Sequence, residues 1–167
     1  MILYHGSNME VSRIDLEKCG KYKDFGHGFY LTSLKVQAIQ WAKKVAIRHN
    51  TGKAILNIYD FNEKTDDLNM IQFLEPNEKW TTFVINNRNR NFNNHSDILS
   101  NQDNKYDFVH GLVANDDISA ILETFLLEIL PMEQLANALI YKKLNDQYSF
   151  HSVKSISKLK FLSSEII

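Results

Sequence analysis

The rhythm of hydrophobic and polar positions changes along the chain, and the changes mark out its elements. Ile2-Leu3-Tyr4-His5 reads as a short strand near the first residue. Val11 to Leu16 alternates loosely and is either a second extended piece or a turn-rich connector. Cys19 to Gly28 is polar and holds Gly20, Gly26 and Gly28, so it reads as a loop, and Phe29-Tyr30-Leu31-Thr32 as a brief aromatic strand. Val36, Ala38, Ile39, Trp41, Ala42, Val45 and Ala46 then recur near helical spacing, with Lys35, Lys43, Lys44 and Arg48 on the wet side. Ser33 can cap this helix and Gly52 can stop it. Ala54 to Phe61 is the clearest strand, rich in β-formers.

Farther along, Pro76 suits a first helical turn, and Trp80, Phe83 and Val84 form one apolar stripe. Asn86 to Asn104 has few apolar residues and reads as a mobile insertion loop. Tyr106 to Val113 is a second good strand. Asn115-Asp116-Asp117 supplies caps for a helix over Ile118 to Leu130, and Pro131 opens another that runs to about Leu144. Gln147 to His151 and Leu159 to Leu162 complete the strands. With no internal repeat and no linker, the pattern predicts one α+β domain over residues 1–167, with the Asn-rich insertion at 86–104.

Composition narrows the classes. The chain has 167 residues, 44% hydrophobic and 11% aromatic, enough for a core. Charged residues are 23% and the net charge is −1, which argues against a disordered chain and against coating nucleic acid by electrostatics alone. Cys19, the one cysteine, cannot form an intramolecular disulfide or a paired-Cys zinc site, so a reducing compartment is expected. The most apolar stretch, Ile118 to Leu130, is short and broken by Glu123 and Glu128, and the N-terminus lacks the pattern of a signal peptide. A cytoplasmic protein without membrane contact is the expectation. The histidines His5, His27, His49, His95, His110 and His151 lack zinc-helix spacing, and no metal is expected.

Several short phrases could carry chemistry. Tyr4-His5-Gly6-Ser7 ends the first strand, and a histidine followed by glycine leaves backbone that a planar ligand can approach, or simply ends the strand in a turn. Asp24-Phe25-Gly26-His27-Gly28-Phe29-Tyr30-Leu31-Thr32 has Gly-x-Gly but neither a third glycine nor a following long helix, so it is not a dinucleotide fingerprint. Phe25 and Phe29 read as core residues, while Tyr30 at the strand start is free for a flat ring. In Gln147-Tyr148-Ser149-Phe150-His151, alternation sends Gln147, Ser149 and His151 to one face, expected to be solvated, with His151 at the surface. Asn115-Asp116-Asp117 reads as a helix cap or as a source of a catalytic carboxylate. Arg88-Asn89-Arg90-Asn91-Phe92 reads as a solvated loop or as a polynucleotide contact.

Taken together, Tyr4-His5-Gly6-Ser7, Gly28-Phe29-Tyr30-Leu31-Thr32 and the late strand at Gln147 resemble the ADP-ribosyltransferase fold of the diphtheria-toxin and poly(ADP-ribose) polymerase type. More narrowly, Asp24 to Thr32, Gln37-Ala38 with Trp41-Ala42, and Gly111-Leu112-Val113-Ala114-Asn115-Asp116-Asp117 resemble a family of small bacterial ADP-ribosyltransferase-like proteins. The resemblance covers nearly the whole chain and implies a split β-sheet core with flanking helices. It implies NAD+ as substrate, cleavage of the nicotinamide–ribose bond and transfer of ADP-ribose to a protein or nucleic-acid acceptor. The protein would act as a toxin or defence component, with a possible antitoxin partner. By analogy His5 bonds the adenine-side ribose, the Gly6 backbone holds the nicotinamide carboxamide, and Tyr30 stacks on the nicotinamide. Ser7 and Thr32 are nearby hydroxyls, and Gln147 reaches the nicotinamide ribose. Many relatives carry glutamate where Gln147 stands. A glutamine cannot serve as a general base, which makes Asp24 and Asp116 the candidate auxiliary carboxylates. The competing expectations are a non-catalytic NAD+ or ADP-ribose binding module, an interaction domain that uses the Asn-rich loop to hold protein or RNA, and a small-molecule transferase of the rifamycin-inactivating kind.

Overall fold

The structure, a computed structural model, describes residues 1–91, 99–114 and 145–167. Its elements run β1 (Ile2–Ser7), a 3-10 turn at Leu16–Lys18, β2 (Phe29–Leu31), α1 (Lys35–Arg48), β3 (Ile55–Phe61), β4 (Met70–Phe73) and α2 (Glu78–Arg88). They continue with β5 (Phe108–Leu112), β6 (Asp146–Phe150), α3 (Val153–Ile156) and β7 (Leu159–Ile166). The fold is α+β with two sheets. One is antiparallel in the order β1-β3-β7, the other mixed in the order β2-β6-β5-β4. The helices expected over Ile118 to Leu130 and from Pro131, with the cap at Asn115-Asp116-Asp117, lie outside the described residues.

Strand alternation builds the layers. Leu3 on β1 and Tyr59 and Phe61 on β3 turn inward, as do Phe29, Leu31, Phe108, Tyr148 and Phe150 on the other sheet, and together they form a shared buried core. Its aromatic edges interlock: Phe61 lies 5.3 Å from Phe150 and Phe29 lies 5.7 Å from Tyr59, both T-shaped. On the opposite face of the mixed sheet, α2 sets Trp80, Phe83 and Val84 against Phe25, Phe73 and Val109. The Trp80 indole N–H donates to the Leu112 carbonyl at 3.1 Å, so even the ring's polar atom is satisfied.

Helix α1 covers the β1–β3 sheet with a narrower face than its apolar spacing suggests. Ala38, Ala42 and Ala46, at i, i+4 and i+8, are its buried residues, while Val36, Trp41 and Ile47 are exposed. Small residues let the helix backbone come down onto Gly6, where a Cβ would sit 2.1 Å from the Ala38 carbonyl oxygen. The helix ends differ from expectation. Leu34 is the N-cap without a side-chain bond, and the Ser33 hydroxyl is drawn instead to Asp146. The stop is Asn50 rather than Gly52. Asn50 adopts φ +49, its N–H bonds Ile47 O, and Thr51 N–H reaches back to Ala46 O, a Schellman closure.

Other boundaries shift for local reasons. Residues 11–16 form a connector rather than a strand, because the buried Asn57 amide accepts from Val11 N–H and donates to Met9 O. Asn77, not Pro76, begins α2, its side chain accepting from Trp80 N–H. The described parts of the expected insertion loop are anchored. Helix α2 runs through Arg88, and buried Asn87 donates to Phe83 O and accepts from Asn101 N–H, both at 2.8 Å. Gln102 ties back to the carbonyls of Asn86 and Asn89. Residues 92–98 lie outside the described residues. Strand β4 and helix α3 were not anticipated. Among the described residues no helix is long and apolar enough to cross a membrane.

Candidate functional site

The site lies where the two sheets meet edge to edge. β1 and β2 are each the end strand of their sheet, and one bridge joins them, with reciprocal bonds between Tyr4 and Thr32 at 2.9 and 3.0 Å. In a continued antiparallel ladder the next hydrogen-bonded pair would be Gly6 with Tyr30. That pair does not form. The His5 imidazole takes the Tyr30 carbonyl instead, Nδ1 lying 2.8 Å away. Main-chain parity points the Gly6 N–H and C=O off the free edge of β1, and among the described residues no protein group takes them up. Tyr4 and Gly6 share this direction, and Leu3, His5 and Ser7 bond toward β3. One unspent donor and one unspent acceptor therefore lie side by side at the split.

His5 is held neutral and in one tautomer. A carbonyl only accepts, so Nδ1 carries the proton and Nε2 is an acceptor. Burial pushes its pKa below the usual imidazole value, against the bond to Tyr30, and the ring packs 4.4 Å from Phe29.

Tyr30 points to the opposite sheet face from Phe29, opposite Ser149 on β6. Its hydroxyl donates to Gly26 O at 2.7 Å and accepts from Phe25 N–H at 3.0 Å, pinning the glycine loop over its own ring. Burial, then the Asp24 charge, raises its pKa well above that of an ordinary phenol. Phe25 stacks at 6.5 Å and His151 meets it edge-on at 6.2 Å.

The face of Gln147, Ser149 and His151 is not solvated: these residues are 9%, 0% and 4% exposed. It is buried because α2 and the glycine loop cover this side of the mixed sheet. His151 is a core residue whose Nδ1 lies 2.8 Å from His27 O and whose Nε2 lies 2.9 Å from Ser149 Oγ. Burial lowers its pKa to about 4.

Gln147 is held by a charged clamp. Asp24 accepts from Arg88 Nε at 2.9 Å and Nη2 at 2.7 Å, from Ala114 N–H at 3.0 Å, and from Gln147 Nε2 at 3.1 Å. A carboxylate only accepts, so the contact fixes the Gln147 amide nitrogen toward Asp24 and leaves Oε1 as the acceptor turned elsewhere. Its neighbour Asp146 is equally committed, accepting from the Thr32 hydroxyl at 2.7 Å, Ser33 N–H at 3.1 Å and the Ser33 hydroxyl. Thr32 is thus buried and spent on structure. Ser7 is partly exposed, its hydroxyl accepting weakly from Met9 N–H at 3.4 Å.

The structure thus joins His5 to the Tyr30 backbone, and Tyr30 to the Gln147 strand, around one split. No hydrogen bond or ring pair links the three side chains directly. Asp116 lies outside the described residues. Sequence reasoning missed Asp146 and the Arg88 role; a hydroxyl pair at Thr32-Ser33 carries no mark of a carboxylate 113 residues away. Among the described residues no group of three or more His, Cys, Asp or Glu could hold a metal ion.

A family model matches residues 1–161, described as "Protein of unknown function (DUF3990)". The chain belongs to that family. The match includes β1, β2 and β6, so every element of the split is within the family's span. No curated protein and no solved structure matches the chain.

Proposed function

We propose that the protein is an NAD+-dependent mono-ADP-ribosyltransferase with the split-sheet core of that fold. The observation that carries the reading is the interrupted ladder at Gly6 and Tyr30. A primary carboxamide presents an N–H donor and a carbonyl acceptor along one planar edge, and the Gly6 main chain offers their complement. His5 Nε2, kept neutral, accepts from a ribose hydroxyl. The half-buried Tyr30 ring gives the pyridinium a stacking face, worth about 0.5–1.5 kcal/mol beyond burial. Gln147 Oε1, fixed by Asp24, accepts from a hydroxyl of the second ribose.

In the reaction the bond between ribose C1′ and the nicotinamide nitrogen breaks, and its electron pair leaves with neutral nicotinamide. Positive charge grows on the ribose, so oriented acceptor oxygens such as Gln147 Oε1 stabilise it. The acceptor's lone pair forms the new bond to C1′, and the acceptor gives up a proton. Gln147 cannot take that proton, and the Asp24 oxygens are engaged with Arg88, Ala114 and Gln147. The reading therefore favours an acceptor atom that is nucleophilic without a base, such as a ring nitrogen, its proton passing to solvent.

Purified protein should release nicotinamide from NAD+, and His5→Ala and Tyr30→Ala should each abolish release while keeping the native circular dichroism. If the wild type neither binds nor cleaves NAD+ at millimolar concentration, the reading is wrong. Saturable binding without turnover would select instead a non-catalytic NAD+ or ADP-ribose module, which the glutamine at 147 and the committed Asp24 equally favour.

A further inference from the structure

Two exposed aromatic rings, one on α1 and one in the glycine loop, each have cations over them. Trp41 on α1 is 42% exposed and Tyr22 in the glycine loop is 41% exposed. The Lys23 ammonium lies 5.9 Å and the Arg48 guanidinium 5.7 Å from the Trp41 ring centroid, and the Arg90 guanidinium lies 5.5 Å from that of Tyr22. Tyr22 and Lys23 are neighbours in the chain, so the Arg90–Tyr22 pair and the Lys23–Trp41–Arg48 cluster are joined through adjacent residues into a strip of rings and cations. Tyr22 adopts φ +58, a left-handed conformation that bulky side chains disfavour.

Among the described residues, none of Lys23, Arg48 and Arg90 is ion-paired with a carboxylate. The strip also adjoins the candidate site: Asp24 follows Lys23, and Arg88 of the clamp precedes Arg90 by two residues.

We propose that this strip binds single-stranded nucleic acid, with Lys23, Arg48 and Arg90 moving off the ring faces onto phosphates as bases stack on Trp41 and Tyr22. Alternating rings and cations suit a strand that presents a flat base and an anion in each repeat. A duplex hides its base faces, and an acidic peptide would use the cations but leave the rings idle. A net charge near zero is compatible, because the strip is local and binding would be modest and salt-sensitive. The strand's role as acceptor of ADP-ribose rests on the transferase reading; the binding does not.

The test is fluorescence anisotropy of labelled oligothymidylate and oligouridylate with the full chain, without NAD+, across a salt series. Three phosphate contacts on a single strand give a slope of log K against log salt of about −2. Trp41→Ala weakens binding roughly 5- to 150-fold, and Trp41→Phe restores most of it. The combined Lys23→Ala, Arg48→Ala, Arg90→Ala variant flattens the slope toward zero. All five positions are at the surface, so circular dichroism melts should match wild type. Absence of binding at low salt, wild-type affinity in Trp41→Ala, or equal competition by polyglutamate would overturn the proposal. A parallel nicotinamide-release assay separates the two ideas: oligonucleotide binding without NAD+ cleavage removes the transferase alone, and cleavage without binding removes this surface alone.

Discussion

Burial of His151 makes a quantitative prediction about acid stability. Its Nδ1 must donate to the His27 carbonyl, so the neutral ring keeps Nε2 as an acceptor facing Ser149. Protonation would place a charge beside His27 in a core position 4% exposed; Asp107 is the carboxylate that partly offsets this. The folded pKa is therefore lowered, to about 4, while the unfolded chain titrates near 6.5. Above the unfolded value both states are neutral and the group contributes nothing to pH dependence. As pH falls from about 6.5 to about 4 the unfolded state binds the proton first, so stability falls with pH through that window. For these two pKa values the loss is about 1.4 kcal/mol by pH 5.5 and about 2.6 kcal/mol by pH 4.5. Urea melts of wild type and His151→Gln at each pH isolate the effect. His5 and His110, whose pKa values are also lowered by burial, titrate alike in both proteins and cancel. The stability advantage of wild type over the variant should shrink by those amounts on acidification. A difference that stays constant within about 0.5 kcal/mol would refute a buried, neutral His151.

Three other substitutions probe the frame of the site. Gly6→Ala drives a methyl into the Ala38 carbonyl and the Ala42 amide, so α1 must lift. A loss of about 3 kcal/mol is expected, read as a drop in melting temperature of roughly 6–12 °C. Asn87→Ala leaves the Asn101 amide without its partner in a buried position, while the Phe83 carbonyl keeps the helical bond from the main-chain N–H of residue 87. It should cost about 1–3 kcal/mol in denaturant melts, with the m-value unchanged. Asp24→Asn removes the charge that holds Arg88 and sets the direction of the Gln147 amide. Stability should fall by about 1–3 kcal/mol, and nicotinamide release should lose kcat more than KM.

Local pattern made the strands legible. β1, β2, β3, β5 and β6 are dense in aromatic and β-branched residues, and their positions agree with the sequence to within two or three residues. β4 escaped notice because Met70-Ile71-Gln72-Phe73 is short, and its support is a parallel pairing with β5 that no local pattern encodes. The amphipathic reading of α1 found the helix but not its buried face, because Gly6 on another strand selects alanines over Val36 and Trp41. Asparagine richness suggested a loose loop; Asn87 and Asn101 are instead buried and bonded, since an amide can satisfy several backbone groups at once. His5, Gly6 and Tyr30 could be singled out from their glycine and aromatic neighbours. The Asp24 clamp on Gln147 could not, because it joins residues 123 positions apart.

The interrupted ladder at the β1–β2 split is tested most directly by titrating isotopically labelled protein with NAD+ and following the Gly6 amide, the His5 and Tyr30 ring signals and the Gln147 side-chain amide. Saturable shifts at all four with one common dissociation constant, reproduced in part by nicotinamide alone at Gly6 and Tyr30, are the expected result. Shifts confined to other surfaces, or none up to millimolar NAD+, would contradict a nicotinamide site at the split.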